Sequence, residues 1–210
     1  MSLSAIVFSI LAVLIAFFIG SIPTAYIVGR FRKGVDIRTI GSHNAGTMNV
    51  VYNVGFFWGL LVLFIDIIKG VLAVFIAVQL SPSVVVHLIA GIFAVLGHAF
   101  PPYLKFRGGK GGATCIGVLV YLLPWATPIY LGIFLLMLLT TRYATLSYSV
   151  AFICFPFVAW LVYHDTTLII YSIVIPLLPG LMYIPRLMEM HSSAGSWKKV
   201  FLRKSYKERY

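Results

Sequence analysis

The densest concentration of chemistry in the chain is Lys105-Phe106-Arg107-Gly108-Gly109-Lys110-Gly111-Gly112-Ala113-Thr114. Four glycines surround Lys110, and an apolar run begins at once behind them. Glycine lets a backbone approach an anion closely and take positive φ. Successive N–H groups then form an anion-binding nest. A helix N-terminus adds its own unbonded N–H groups and partial positive charge. Lys110 contributes a point charge, and Thr114 a hydroxyl in the first helical turn. Together these suit a phosphate. The GxxxxGK[ST] spacing of a nucleotide P-loop is absent. The plainer alternative is a flexible basic turn between two helices.

A second segment, Gly41-Ser42-His43-Asn44-Ala45-Gly46-Thr47-Met48-Asn49, also precedes a long apolar run. The hydroxyl of Ser42 and the amides of Asn44 and Asn49 suit a phosphate or a glycerol hydroxyl; an N-cap and turn is the alternative. Asp66 and Lys69 lie one helical turn apart inside an apolar run. A charge there costs about 3 kcal/mol on insertion scales, and an i,i+3 partner offsets part of it. Lys69 therefore reads as half of a structural pair, or as bound to a neighbouring helix end, more than as a direct catalyst. Arg142 closes a span and can either bind phosphate bidentately or anchor the helix end. His98 ends another span beside the glycine loop, as a cap or as a phosphate partner. Neither Ser-His-Asp nor Cys-His spacing occurs, and no metal-ligand spacing surrounds Cys115 or Cys154. An enzyme made from these parts would work by binding anions and placing reactants.

The elements that must hold these loops are membrane helices. Of 210 residues, 61% are apolar and 10% charged, against roughly a quarter charged in soluble proteins. Runs of about 20 apolar residues can span a bilayer. The candidates are 3–28, 56–78, 84–100, 125–141, 146–163 and 168–184, with a short seventh at 113–123. Fifteen of the 16 Lys and Arg residues fall in four clusters: 30–38, 105–110, Arg142 and 186–209. Basic loops face the cytoplasm, and all four clusters share one face only if the short run crosses alone. The expectation is an all-α integral membrane protein with seven transmembrane helices, its N-terminus outside and its C-terminus cytoplasmic. One polytopic domain would cover 1–190, and a basic cytoplasmic tail 191–210. The net charge of +11 fits anchoring to anionic membrane lipid. Without a soluble basic domain it does not indicate nucleic acid.

Read jointly, six stretches resemble the bacterial acyl-phosphate:glycerol-3-phosphate acyltransferases, the PlsY family. They are 20–26 (GSIPTAY), 41–49, 66–70 (DIIKG), 97–101 (GHAFP), 105–114, and Thr141-Arg142-Tyr143 with Leu146-Ser147. The resemblance implies that acyl phosphate donates its acyl group to the 1-hydroxyl of glycerol 3-phosphate. The products are lysophosphatidic acid and phosphate, made in the plasma (inner) membrane with no metal, cofactor or acyl-CoA. It also implies an active-site role for Ser42 and a phosphate role for 108–112. Taken with the reading of the residues themselves, the expected site has Ser42 and Asn49 as catalytic residues. Asn44, Lys69, His98, Gly108, Gly109, Lys110, Gly111, Thr114 and Arg142 would bind substrate.

Three departures stand out. The family motif G-S-G-N-x-G-A-T-N-x-x-R has His43 at its third position and Tyr52 at its arginine. The family segment H-R-x-N-I-x-R-L is matched by 180–187, with Gly180 and Tyr183 at its His and Asn. Nearby Arg38 is a candidate substitute for the missing arginine. The alternative function is a non-catalytic or substrate-shifted paralogue that binds phosphate-bearing lipid. A transporter fits less well, because the polar groups gather at one interface rather than at mid-membrane.

Overall fold

A computed structural model describes residues 2–202, and all regular structure among them is helical. Arg203, Lys204, Lys207 and Arg209 of the last basic cluster lie outside the described residues. The chain divides at Leu122 and Leu123 into two compact units. The first holds α1 (Leu3–Ser21), α2 (Thr24–Lys33), α3 (Thr47–Asn53), α4 (Phe56–Leu80), α5 (Val84–Ala99) and α6 (Gly112–Leu122). The second holds α7 (Thr127–Thr141), α8 (Ala144–Ala151), α9 (Cys154–Val158), α10 (Thr166–Val174), α11 (Leu177–Ala194) and α12 (Trp197–Phe201).

Six stretches are long and apolar enough to cross a membrane: Leu3–Lys33, Phe56–Leu80, Val84–Leu104, Pro124–Thr141, Ala144–Tyr163 and Thr166–Ala194. Helix α6, with 11 residues, is shorter. The arrangement of residue sizes suits a lipid solvent. Large apolar side chains point outward, with Phe64 62% and Leu139 70% exposed. The buried seam between α1, α4 and α5 is built from Ala12, Ala16, Ala73, Ala77, Ala90 and Ala94. Hydrocarbon provides no hydrophobic drive between helices, so close packing of small residues must hold them. Helices α4 and α6 show this most tightly. A Cβ on Gly117 would strike the carbonyl of Ile67, and one on Gly70 that of Thr114.

Two boundaries differ from the sequence reading. The first apolar run is two helices, broken at Ile22-Pro23. Pro23 lacks an N–H and disfavours helical geometry in the residue before it, and Ile22 sits at φ −56°, ψ 116°. The last apolar run continues as α11 to Ala194, ten residues beyond the expected end, and stops at Gly195 in a left-handed conformation. An Arg186–Glu189 ion pair at 2.6 Å supports the added turns, as does Met190 packed beside Tyr143.

In the second unit, Thr141 Oγ accepts from the N–H of Tyr143 at 3.3 Å, and Ser147 Oγ donates to the Tyr143 carbonyl at 2.9 Å. Tyr143 is buried, its hydroxyl 2.6 Å from that of Tyr183. This clamp turns the chain sharply at Arg142, which has φ 54° and an exposed side chain.

Candidate active site

The first unit brings the two glycine-bearing loops together. Helix α5 ends at Ala99, and the chain turns back over it. The N–H of Gly108 donates to Ala99 O at 3.0 Å, and that of Gly109 to His98 O at 3.1 Å. At Gly109 the loop lies against both the His98 ring and the other loop. An added Cβ would strike His98 Nε2 and sit 2.8 Å from Ala45 O. Gly111 has φ +81°, a conformation side chains rarely tolerate. The glycines at 108 and 109 are thus demanded by backbone packing onto the end of α5. Their two amides are committed to protein carbonyls. The later part of the loop leads into the first turn of α6, where helical N–H groups lack intrahelical acceptors.

The preceding loop is tied into a knot around Asn49, which is 2% exposed. Its Nδ2 donates to Ile37 O at 2.7 Å and to Ile40 O and Asn44 O at 3.0 Å. Its Oδ1 accepts from the N–H of Ser42 at 3.1 Å and from Asn53 Nδ2 at 2.8 Å. A carboxamide engaged on both atoms organises the loop and fixes the backbone beneath the half-buried Ser42. Asn44 lies on the same turn, its Nδ2 2.8 Å from where a Cβ on Gly46 would stand.

Arg38 ties the two loops together. Its Nε and Nη2 donate to the two oxygens of Asp36 at 3.0 and 2.7 Å, and its Nη1 to Leu104 O at 2.9 Å. Three of its five N–H donors are engaged there, so in this structure Arg38 serves to tie the loops. The Arg38 hydrogen bond and charge hold the Asp36 carboxyl below the ordinary carboxylate range. A depressed folded pKa means the stabilisation is present above the ordinary value, near 4, and is lost as pH falls through the lowered one. The link is therefore intact at neutral pH. Asp36→Asn should accelerate tryptic cleavage after Arg38 several-fold at pH 7.5; an unchanged rate would mean the loop is held without this pair.

Beneath the loops lies a chain of buried polar groups. Lys69, 3% exposed, donates to Ile22 O at 2.7 Å and Gly20 O at 3.4 Å. It thereby satisfies carbonyls freed where α1 breaks. Its Nζ also lies 2.7 Å from Asp66 Oδ1, off the ideal hydrogen-bonding angle, so the two are held as an ion pair. The same Asp66 oxygen is 3.9 Å from His98 Nδ1. That nitrogen is 3.3 Å from the hydroxyl of Thr114, which is fully buried. Both contacts fall on Nδ1, so Asp66, His98 and Thr114 do not form a relay through opposite ring nitrogens, as a nucleophile triad requires.

Ser42, Asn44, Asn49, Lys69, His98, 108–111 and Thr114 all belong to the first unit, and Arg142 to the second. The sequence reading missed the Asp36–Arg38 link, although an Asp two residues before an Arg was its available signal. It also missed the contact of Asp66 with His98, which no spacing announces.

Helices of this length, composition and packing define a multi-pass α-helical membrane protein. A family model for glycerol-3-phosphate acyltransferase matches residues 10–189. The chain is 46% identical over 209 residues to glycerol-3-phosphate acyltransferase 2 of Dehalococcoides mccartyi, covering 99% of this chain and 100% of that one. It is 41% identical over 152 residues to glycerol-3-phosphate acyltransferase 2 of Moorella thermoacetica, covering 70% and 76%. A crystal structure of PlsY, an integral membrane glycerol 3-phosphate acyltransferase, in its glycerol 3-phosphate form, matches with a TM-score of 0.80 at 28% identity. That match covers 96% of this chain and 95% of the other. The same enzyme's lysophosphatidic acid form matches at 0.77 and 30% identity, over 88% and 92%. The chain belongs to the glycerol-3-phosphate acyltransferase family.

Proposed function

We propose that this chain is a membrane acyltransferase of phospholipid synthesis that moves a fatty acyl group from acyl phosphate to the 1-hydroxyl of glycerol 3-phosphate. The hydroxyl oxygen attacks the acyl carbonyl carbon, the bond from that carbon to the phosphate oxygen breaks, and the hydroxyl proton leaves with the phosphate. The products are lysophosphatidic acid and inorganic phosphate. A mixed anhydride carries a good leaving group, so the protein need supply only placement and charge. The observation that carries this reading is the meeting of the Ser42 loop and the glycine loop at Gly109, beside the N-terminus of α6.

In this reading Ser42 and Asn44 face the acceptor. Lys110, Gly111 and the first-turn amides of α6 hold phosphate. Gly108 and Gly109 give the loop its path. Asn49, His98, Thr114 and Lys69 keep their places through the buried hydrogen bonds already described.

The proposed setting is the plasma (inner) membrane, with one polytopic domain over 1–190 and a basic tail from 191. Seven crossings, with the N-terminus outside and the C-terminus cytoplasmic, bring every basic cluster to one face. Helix α6 reaches only about half of a hydrocarbon core. Its tight seam with α4 supports a crossing in which protein, not lipid, surrounds it.

Purified protein incubated with palmitoyl phosphate and radiolabelled glycerol 3-phosphate should yield lysophosphatidic acid. No product, with a known family enzyme active alongside, would refute the proposal. Binding of glycerol 3-phosphate without turnover would instead favour a non-catalytic paralogue. That second reading is motivated by Tyr52 at the arginine position and by an Arg38 already engaged with Asp36. Lys110→Ala should raise the KM for a phosphate substrate about tenfold, one charge-assisted contact's worth, with a smaller change in kcat. Unchanged kinetics would count against the phosphate site.

A further inference from the structure

We propose that Asp66 is a positioning residue for the phosphate loop, acting through His98. The proposal rests on the acyl-transfer reading for its meaning but not for its measurement. Asp66 is 1% exposed, in the middle of α4. A lone structural ion pair with Lys69 would account for a charge there, but the geometry goes further. One oxygen of Asp66 faces two cationic or polar partners on different helices. Lys69 lies at 2.7 Å and His98 Nδ1 at 3.9 Å. His98 is in turn the strut under the loop. Its carbonyl accepts the Gly109 N–H, its ring abuts the Gly109 Cα, and its Nδ1 meets Thr114 in the first turn of α6. Lys69 carries the other end of the chain to the carbonyls of Gly20 and Ile22.

Asp66 is thus the shared anion between the broken end of α1 and the loop that leads into α6. In a medium of low dielectric, a carboxylate at such distances sets the orientation of a neighbouring imidazole more strongly than it could in water. The His98 ring is the surface on which Gly109 rests. A change in its tilt moves the amides that follow, and amides turned away from a phosphate hold it less tightly in substrate and transition state alike.

The test is a double-mutant cycle of Asp66→Asn and His98→Ala in the full-length protein in detergent. Both the KM for acyl and acceptor phosphates and calorimetric binding of glycerol 3-phosphate are read. Asp66→Asn alone should raise the phosphate KM about tenfold while leaving most of kcat. In the His98→Ala background the same substitution should change KM less than twofold, because the group through which it acts is gone. Additive effects, or a loss of kcat at constant KM, would overturn the inference and return Asp66 to a purely structural role. Should Asp66→Asn not accumulate as folded protein, Asp66→Glu replaces it in the same cycle. Glutamate keeps the charge and displaces the carboxylate by one methylene. Wild-type protein that binds glycerol 3-phosphate without turnover would refute acyl transfer, yet the cycle would still be decided by the binding data. Wild-type protein with neither binding nor turnover would overturn both.

Discussion

Gly109→Ala is expected to lower acyl transfer about a hundredfold, the scale of loss that ångström misplacement of a binding group brings. The added methyl has nowhere to go: it would strike the His98 ring on one side and lie 2.8 Å from the Ala45 carbonyl on the other. Overpacking of this kind costs about 1–3 kcal/mol. The loop would relieve it by moving off the end of α5. That movement breaks the Gly109 N–H bond to His98 O and carries Lys110 and the α6 N-terminus with it. The discriminating comparison is with Gly132→Ala, where a Cβ would meet nothing within 4 Å. Both variants should remain folded in detergent, but only the first should lose turnover. Equal activity in the two would show that the meeting of the loops at Gly109 has no bearing on the reaction.

Lys69→Met should have the largest effect on stability. The substitution keeps much of the side-chain length but leaves Asp66 buried without its ion-pair partner. It also strips the Ile22 carbonyl of a 2.7 Å donor where α1 breaks. Removing one member of a buried pair typically costs about 3–5 kcal/mol. For a chain of this size that corresponds to a fall in melting temperature on the order of ten degrees. Thermal unfolding in detergent, followed by light scattering or tryptophan emission, would measure it. A fall of only a degree or two would mean that Asp66 is satisfied without Lys69. Asp66→Asn, which leaves Lys69 with its two carbonyl partners, should be milder than Lys69→Met. The reverse order would contradict the account of how Lys69 is used.

The absent arginine at Tyr52 bears on how the family's chemistry is carried out here. Arg38 was the natural substitute in sequence, being four residues before Ser42. Its three hydrogen bonds to Asp36 and Leu104 O instead make it a fastener between the two loops. In the proposed site the cationic help for a phosphate would come from Lys110 and the α6 N-terminus, which is why Lys110→Ala is the informative kinetic variant.

Apolar run length and basic clustering are local, additive properties of a chain. They were enough to predict the six long apolar helices, a short apolar helix near 112–122, and the polar loops between them. Even the role of Lys69 at a neighbouring helix end was legible, because a lysine inside a span must find carbonyls or a carboxylate somewhere. What each buried group does with its hydrogen bonds was not legible. Nothing in the string of glycines at 108–112 says that two of their amides are given to His98 and Ala99. Nothing in the position of Asn49 says that its carboxamide ties three carbonyls of one loop. Nor does the i,i+3 spacing of Asp66 and Lys69 reveal a histidine from another helix. Those assignments depend on which helix ends come within three or four ångströms of one another. That proximity is decided by small-residue packing across the whole helical unit, so only the tertiary structure could supply it.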